Sequence, residues 1–143
     1  ELWFYYTGLK YRASFIYVGR YPNGKHVTKP GLEPDRGAIC LAVLRRDGFV
    51  SLDAGEKSGR LVTRAIVLPG GKMHVNADAG DGELRVEVLN AEDKVVAVSE
   101  DVSGDSVRKE IRWKRGDPAE LKGQAVTLRF TLRNARFYSY WFK

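Results

Sequence analysis

The residues best suited to chemistry cluster at the C-terminal end: Tyr138, Tyr140 and Trp141, with Phe137 and Phe142 interleaved. A Trp or Tyr ring standing in solvent offers a flat apolar face and a polar tip at low entropic cost, which suits stacking on the C–H face of a sugar ring. Trp113, Trp3 and Tyr5 are further aromatic candidates. Trp113 falls in phase with Val107 and Ile111, and Trp3 and Tyr5 lie in an apolar strand, so burial is the simpler reading of all three. A second chemistry comes from Arg85, Arg108, Arg112, Arg129 and Arg133, which would form a basic face beside Glu87 if their strands were neighbours. Guanidinium forks bind carboxylate or sulfate groups through paired hydrogen bonds. The competing reading is cross-strand pairing with Glu87 and Glu110, contributing roughly 0.2–1 kcal/mol per pair.

Turn carboxylates fall into three pairs: Asp53 with Glu56, Asp78 with Asp81, and Asp101 with Asp105. Calcium takes about six to eight oxygen ligands, more than any one pair supplies. Structural calcium is therefore left open, its ligands unassigned, and no other cofactor is expected. His26 and His74 stand far apart, without the Cys/His spacing of a zinc site. Ser106 lies in Gly104-Asp105-Ser106, which is not a Gly-x-Ser-x-Gly elbow, and no glycine-rich phosphate loop of standard spacing occurs. No catalytic centre emerges, and enzymatic activity is not expected. Cys40 is the one cysteine, so an internal disulfide is excluded; within the apolar run Ala38–Leu44 it reads as a buried thiol.

The 143 residues carry a formal net charge of +6, from 24 Lys and Arg against 18 Asp and Glu. Basic and acidic residues are interspersed, and no run of Lys or Arg exceeds a dipeptide, so a nucleic-acid partner is not expected. No stretch approaches the roughly 18 apolar residues of a membrane span, and no signal peptide is present, so a membrane partner is not expected either. The chain opens at Glu1, in mid-pattern, and reads as a fragment or processed product.

Strands must position these groups. Leu2–Thr7 reads as an aromatic strand ended by Gly8. Residues 19–37 hold Gly19, Pro22, Gly24, Pro30, Gly31, Pro34 and Gly37, a long irregular loop that also carries Tyr21, Lys25 and His26. Ala38–Leu44 reads as a strand buried on both faces, followed by a turn at Arg46-Asp47-Gly48. Arg60–Leu68 is a β-branched strand stopped by Pro69-Gly70-Gly71. Lys72–Asp78 and Glu83–Val88 each alternate, and Gly80-Asp81-Gly82 between them reads as a hairpin turn. A short strand follows around Val95–Val98, and the next places Val107, Ile111 and Trp113 on one face. Asp117-Pro118-Ala119-Glu120-Leu121-Lys122-Gly123 supplies one helical turn with an Asp cap, an early Pro and a Gly exit. Val126, Leu128, Phe130 and Leu132 then alternate strictly with Thr127, Arg129, Thr131 and Arg133. On the last strand, strict alternation groups Tyr138, Tyr140 and Phe142 against Phe137, Ser139 and Trp141; with the tyrosine side in the core, Trp141 projects outward. Many short antiparallel strands with frequent turns give an all-β fold, an antiparallel β-sandwich of jelly-roll-like form over residues 49–143.

Leu2-Trp3-Phe4-Tyr5-Tyr6-Thr7-Gly8, Gly37-Ala38-Ile39-Cys40-Leu41-Ala42 and Leu44-Arg45-Arg46-Asp47-Gly48-Phe49 resemble the closing hairpin of a final propeller blade. Phe49-Val50-Ser51-Leu52-Asp53-Ala54-Gly55, Gly104-Asp105-Ser106-Val107-Arg108, Trp113-Lys114, Val126–Phe130 and Arg136–Tyr140 resemble the sandwich that follows it. The whole pattern is similar to the C-terminal region of five-bladed β-propeller proteins related to glycoside hydrolase families 32 and 43. The resemblance implies two parts, residues 1–48 as blade hairpin and loop and residues 49–143 as sandwich. It also implies that any catalytic carboxylates belong to earlier blades, outside this chain. The expected function is a non-catalytic carbohydrate-binding module whose partners are a polysaccharide or oligosaccharide and a parent catalytic domain. The expected carbohydrate-binding residues are Trp141, Tyr138, Tyr140, Arg129 and Arg112. The alternatives are a structural domain that docks on the propeller without binding glycan, and a domain that lends its 19–37 loop to an active-site rim. The resemblance implies a secreted protein, extracellular or periplasmic.

Overall fold

The computed structural model describes residues 1–9, 23–24 and 37–143. Tyr21, Lys25 and His26 of the Gly- and Pro-rich segment lie outside the described residues. Two compact units result, Glu1–Leu44 and Arg45–Lys143. Arg45, the first residue of the second unit, is hydrogen-bonded to Asn76 within it.

In the first unit, β1 (Leu2–Leu9) pairs antiparallel with β2 (Gly37–Leu44). The register sets Trp3, Tyr5 and Thr7 opposite Val43, Leu41 and Ile39, and Phe4 and Tyr6 opposite Ala42 and Cys40. Directly paired residues share a face, so each face of this ribbon is apolar. The expected burial of β2 is not met: none of its residues is buried, and Ile39 is 85% exposed. Among the described residues of this unit there are two strands and no second layer to cover either side. Cys40, expected to be buried, is likewise part-exposed, its thiol 3.8 Å from the Ala38 carbonyl oxygen.

The second unit is all-β and antiparallel. Its strands are β3 (Leu52–Ala54), β4 (Gly59–Val62), β5 (Ile66–Val67), β6 (Met73–Leu89), β7 (Val95–Ser99), β8 (Val102–Glu110), β9 (Trp113–Arg115), β10 (Ala125–Arg133) and β11 (Ala135–Phe142). A 3-10 turn at Pro118–Leu121 precedes β10, with Asp117 Oδ1 accepting from the Ala119 amide at 2.9 Å, as its sequence predicts. Strand β6 is the spine. Its first half lies between β11 and β8, and its second half between β10 and β7. Strand β3 flanks β11, β4 and β5 flank β10, and β9 flanks β7.

The hairpin expected at Gly80-Asp81-Gly82 does not form; β6 runs through it as one strand of 17 residues. The β6 residues that enter the hydrophobic core switch there from odd numbers (Met73, Val75, Ala77, Ala79) to even ones (Leu84, Val86, Val88). Ala79 pairs with Gly104 and Leu84 with Val102, so residues 80–83 stand opposite Ser103 alone. Such an irregularity bends a strand and lets it pass from one layer to the other. Gly82 is required at this bend, because a Cβ there would strike the carbonyl oxygens of Arg133 and Asn134 where β10 turns into β11.

Both layers feed one core. Met73, Val75, Ala77 and Phe137 from one side meet Leu84, Val86, Leu128 and Phe130 from the other. The Phe130 ring lies 4.6 Å from Phe137 and 5.3 Å from Tyr140. Each large side chain removed from water in this way contributes about 1.5–3 kcal/mol. The strand expected over Arg60–Leu68 is split in two, since Thr63 replaces a ladder partner: its Oγ1 accepts from the Leu128 amide at 3.0 Å. Val107 departs from the face expected with Ile111 and Trp113. The β6–β8 register slips between Lys109 and Ser106, leaving Val107 exposed while Ile111 is buried.

Candidate functional site

The last strand departs from strict alternation. Phe137 pairs with Ala77 and Ser139 with Asn76, so Tyr138 is an extra, bulged residue. The phase therefore shifts by one. Phe137, Tyr140 and Phe142 pair with Ala77, Val75 and Met73 and lie against the core, whereas Trp141 pairs with His74 on the opposite face. Tyr138 and Tyr140, expected side by side, are separated by the bulge. Tyr140 packs among Phe130, Phe137 and Phe142, edge-on to Phe142 at 6.3 Å.

Trp141 does turn away from the core, but it is half-buried. Its ring stacks on His74 at 5.7 Å with 9° between planes. His74 is 8% exposed, and its Nδ1 lies 3.1 Å from the Lys72 carbonyl oxygen, a hydrogen bond in the tautomer protonated at Nδ1. The Arg45 guanidinium sits 4.7 Å above the Tyr138 ring, in cation–π contact. One ring of the expected platform is thus stacked on a histidine and another is capped by an arginine.

Arg45 organises this surface. Its Nε donates to Asn76 Oδ1 at 2.6 Å, Nη1 to Asp105 Oδ1 at 2.5 Å and Nη2 to the Ala77 carbonyl at 3.2 Å. Asn76, 1% exposed, returns its amide to the Arg46 carbonyl at 2.8 Å. A buried amide satisfied in this way fixes the Arg45–Gly48 turn on the sheet. The sequence pattern placed Asn76 and His74 among the outward polar positions of β6, and nothing in the spacing linked either to Arg45. The one available signal was their identity, Asn and His where neighbouring outward positions are charged. The hydroxyl of Ser139, cross-strand from Asn76, is buried without a hydrogen-bond partner.

The arginines are dispersed. Arg129 pairs across the sheet with Glu87 at 2.6 Å, Arg133 with Glu83 at 3.2 Å and Arg85 with Asp101 at 2.8 Å. The Asp101 hydrogen bond and charge raise the Arg85 pKa above its ordinary value. Arg108 lies on β8, beside the first half of β6, and Arg112 lies exposed where the chain passes from β8 to β9, its carbonyl accepting from the Glu100 amide at 2.8 Å. Of the two carboxylates expected to pair with this group, Glu87 takes Arg129, whereas Glu110 pairs with Lys72; Arg85 and Arg133 find Asp101 and Glu83 instead, and the expected binding residues fall in separate places.

Asp53, Asp78 and Asp81 do come together. They line an open cleft of about 450 Å³ with Asn134 and Arg136, whose guanidinium is 3.7 Å from Asp53. Among the described residues, no group of three or more His, Cys, Asp or Glu is placed to hold a metal ion. Comparison with protein-family models, with curated proteins and with solved structures returns no match.

The β1–β2 ribbon also carries large exposed apolar side chains. Trp3, Tyr5 and Tyr6 are more than half exposed, and Phe4, Leu41 and Val43 nearly so. On one face, Trp3 and Tyr5 stand beside Val43 and Leu41; on the other, Phe4 and Tyr6 stand beside the small Ala42 and Cys40.

Proposed function

We propose that this chain is a non-catalytic accessory β-sandwich of a carbohydrate-active protein, whose β1–β2 ribbon is built into a neighbouring β-domain of the same polypeptide. One observation carries the reading: the ribbon is apolar on both faces, and its large side chains at Trp3–Tyr6, Ile39, Leu41 and Val43 stand 43–85% exposed, Phe4 the least and Ile39 the most. Strands that are apolar on both sides are suited to a sheet packed between two layers. Exposed apolar strand edges are otherwise an association hazard. The blades of a β-propeller meet that requirement, since each sheet lies between two others, and the resemblance of Leu2–Gly8 and Gly37–Phe49 to a closing blade hairpin supports the same occupant. Hydrogen exchange tests it. In the 143-residue chain the Trp3–Thr7 amides exchange freely; in the full-length polypeptide they exchange at a rate near that of the core strands. Free exchange in both would overturn the reading.

Glycan binding is the second reading, favoured by the outward turn of Trp141. Retention of the chain on a polysaccharide gel, lost in Trp141→Ala and kept in Arg129→Ala, supports it. Equal behaviour of all three proteins would remove it. The docking reading ranks first because His74 and Arg45 already occupy the Trp141 and Tyr138 rings.

A further inference from the structure

We infer that the sandwich edge traced by residues 108–115 binds an acidic polysaccharide, one bearing sulfate or uronate groups; the inference takes from the reading above only its setting in a carbohydrate-active protein. Arg108, Lys109, Arg112, Lys114 and Arg115 fall within eight consecutive positions, and all five are exposed. Among the described residues none of them forms an ion pair. The one carboxylate of the stretch, Glu110, is paired with Lys72 at 2.9 Å. The backbone that carries these side chains is fixed. Lys109 and Glu110 pair with Val75 and His74 of β6, and the Ile111 amide donates to the Met73 carbonyl at 2.9 Å. The Arg112 carbonyl accepts from the Glu100 amide at 2.8 Å, and Trp113 and Arg115 pair with Ser99 and Val98. Ile111 is buried and Trp113 packs against the core, so the apolar members anchor the stretch and leave its cations outside.

Charge and the open strand edge name the occupant. At full extension the stretch reaches about 25 Å. Its five cations therefore lie, on average, closer together than the ~8 Å Debye length of physiological salt. Their fields add, and a ligand with anionic groups repeated along its length gains from all of them. Among the described residues β8 pairs only with β6 and β9 only with β7, which leaves backbone N–H and C=O groups for sugar hydroxyls. Guarding a free edge against association does not require this much charge: the edge strands β3 and β4 of the same sandwich carry one charged residue each, Asp53 and Arg60. Nucleic acid fits less well. Single strands are held by exposed rings on which bases stack, and the one ring of the stretch, Trp113, packs against the core. A lipid surface fits less well for the same reason, since neither Ile111 nor Trp113 is free to enter it.

The test measures binding of the 143-residue chain to immobilised dextran, dextran sulfate and polygalacturonate at about 0.15 M salt. Wild type is compared with an edge variant, Arg108→Ser with Arg112→Ser and Lys114→Ser. A control variant, Lys57→Ser with Arg64→Ser and Lys94→Ser, makes the same charge change elsewhere. All six side chains are exposed, and equal urea midpoints verify that both variants are folded. Wild type should bind dextran sulfate or polygalacturonate and ignore dextran, the choice between the two separating sulfate from uronate. The edge variant should lose about tenfold in affinity and the control less than ~twofold. Equal losses in the two variants would reduce the effect to net charge and overturn the inference, as would no retention of wild type on either charged polymer. Tighter binding of an oligonucleotide or of phosphatidylserine vesicles, lost in the same edge variant, would give the edge to another occupant and overturn it too. Self-association of the edge variant with retention unchanged would assign the charges to guarding the edge. Retention lost in Trp141→Ala but unchanged in the edge variant would overturn the inference and leave the Trp141 glycan reading standing.

Discussion

The ribbon and the sandwich are both antiparallel and both rich in large apolar residues, yet only one of them consumes what it carries. In β10, Val126, Leu128, Phe130 and Leu132 are buried and Thr127, Arg129, Thr131 and Arg133 are not. In β1 and β2 the apolar residues run on without a regular polar alternate, and among the described side chains none of the large ones is buried. The difference is one of layers. Period two describes a strand with one covered face, and a continuous apolar run describes a strand with two. The sandwich supplies its own second layer, and the described residues of the ribbon's unit do not.

The contrast predicts opposite responses to similar substitutions. Phe130→Ala removes a fully buried ring that touches Phe137 and Tyr140, and should cost about 3–5 kcal/mol in urea unfolding followed by Trp fluorescence. Tyr5→Ser removes a ring that is 69% exposed. In the 143-residue chain it should change stability by less than ~0.5 kcal/mol. A large cost for Tyr5→Ser would mean that the ribbon is already packed within its own chain, and the comparison would fail.

Gly82→Ala comes next in size. The comparison holds that one bent strand, β6, gives the sandwich both of its layers, and Gly82 is where that bend passes the β10–β11 connection. A methyl group would meet backbone carbonyl oxygens rather than a side chain able to swing aside, so a loss of about 1–3 kcal/mol is expected in the same unfolding experiment. Gly104→Ala is the control for added bulk, since nothing lies within 4 Å of its Cβ position; its φ of +81° charges it with backbone strain instead. A Gly82→Ala protein as stable as wild type would mean that the crossing is loosely packed.

The sequence disclosed the parts of this fold that depend on local chemistry. The Asp117 cap, the Val126–Leu132 alternation and the strand content are all of that kind. Two misreadings share one cause. Gly80-Asp81-Gly82 looks like a hairpin turn and Arg136–Phe142 like a regular strand, yet each contains an irregularity that shifts the side-chain phase. A shift of one residue exchanges the faces of everything beyond it. At Tyr138 it brings Phe137, expected on the Trp141 face, onto the core side with Tyr140 and Phe142 and separates Tyr138 from them. Local pattern cannot specify such a shift, because it is set by the strand alongside. The Arg45–Asn76–Asp105 network was hidden for a similar reason: its members are brought together by three separate segments of chain.

The smallest expected effect concerns surface charge, and it bears on what stabilises the sandwich at all. Lys72 Nζ lies 2.9 Å from Glu110 Oε1, and this hydrogen bond, with the charges of Lys72, His74 and Arg112, holds the Glu110 carboxyl below its ordinary value near 4.5. A carboxyl whose folded pKa is depressed contributes stability that is present above its unfolded pKa and is lost as the pH falls through the folded one. Stability should therefore decline slightly more between neutral pH and pH values below 4.5 in wild type than in Glu110→Gln. The difference should shrink in high salt, because both side chains are well exposed and screened. Comparing unfolding midpoints of the two proteins across that range isolates the effect. A difference rivalling that of Phe130→Ala would place much of the sandwich's stability in its charged exterior. A marginal one leaves the stability with the enclosed core.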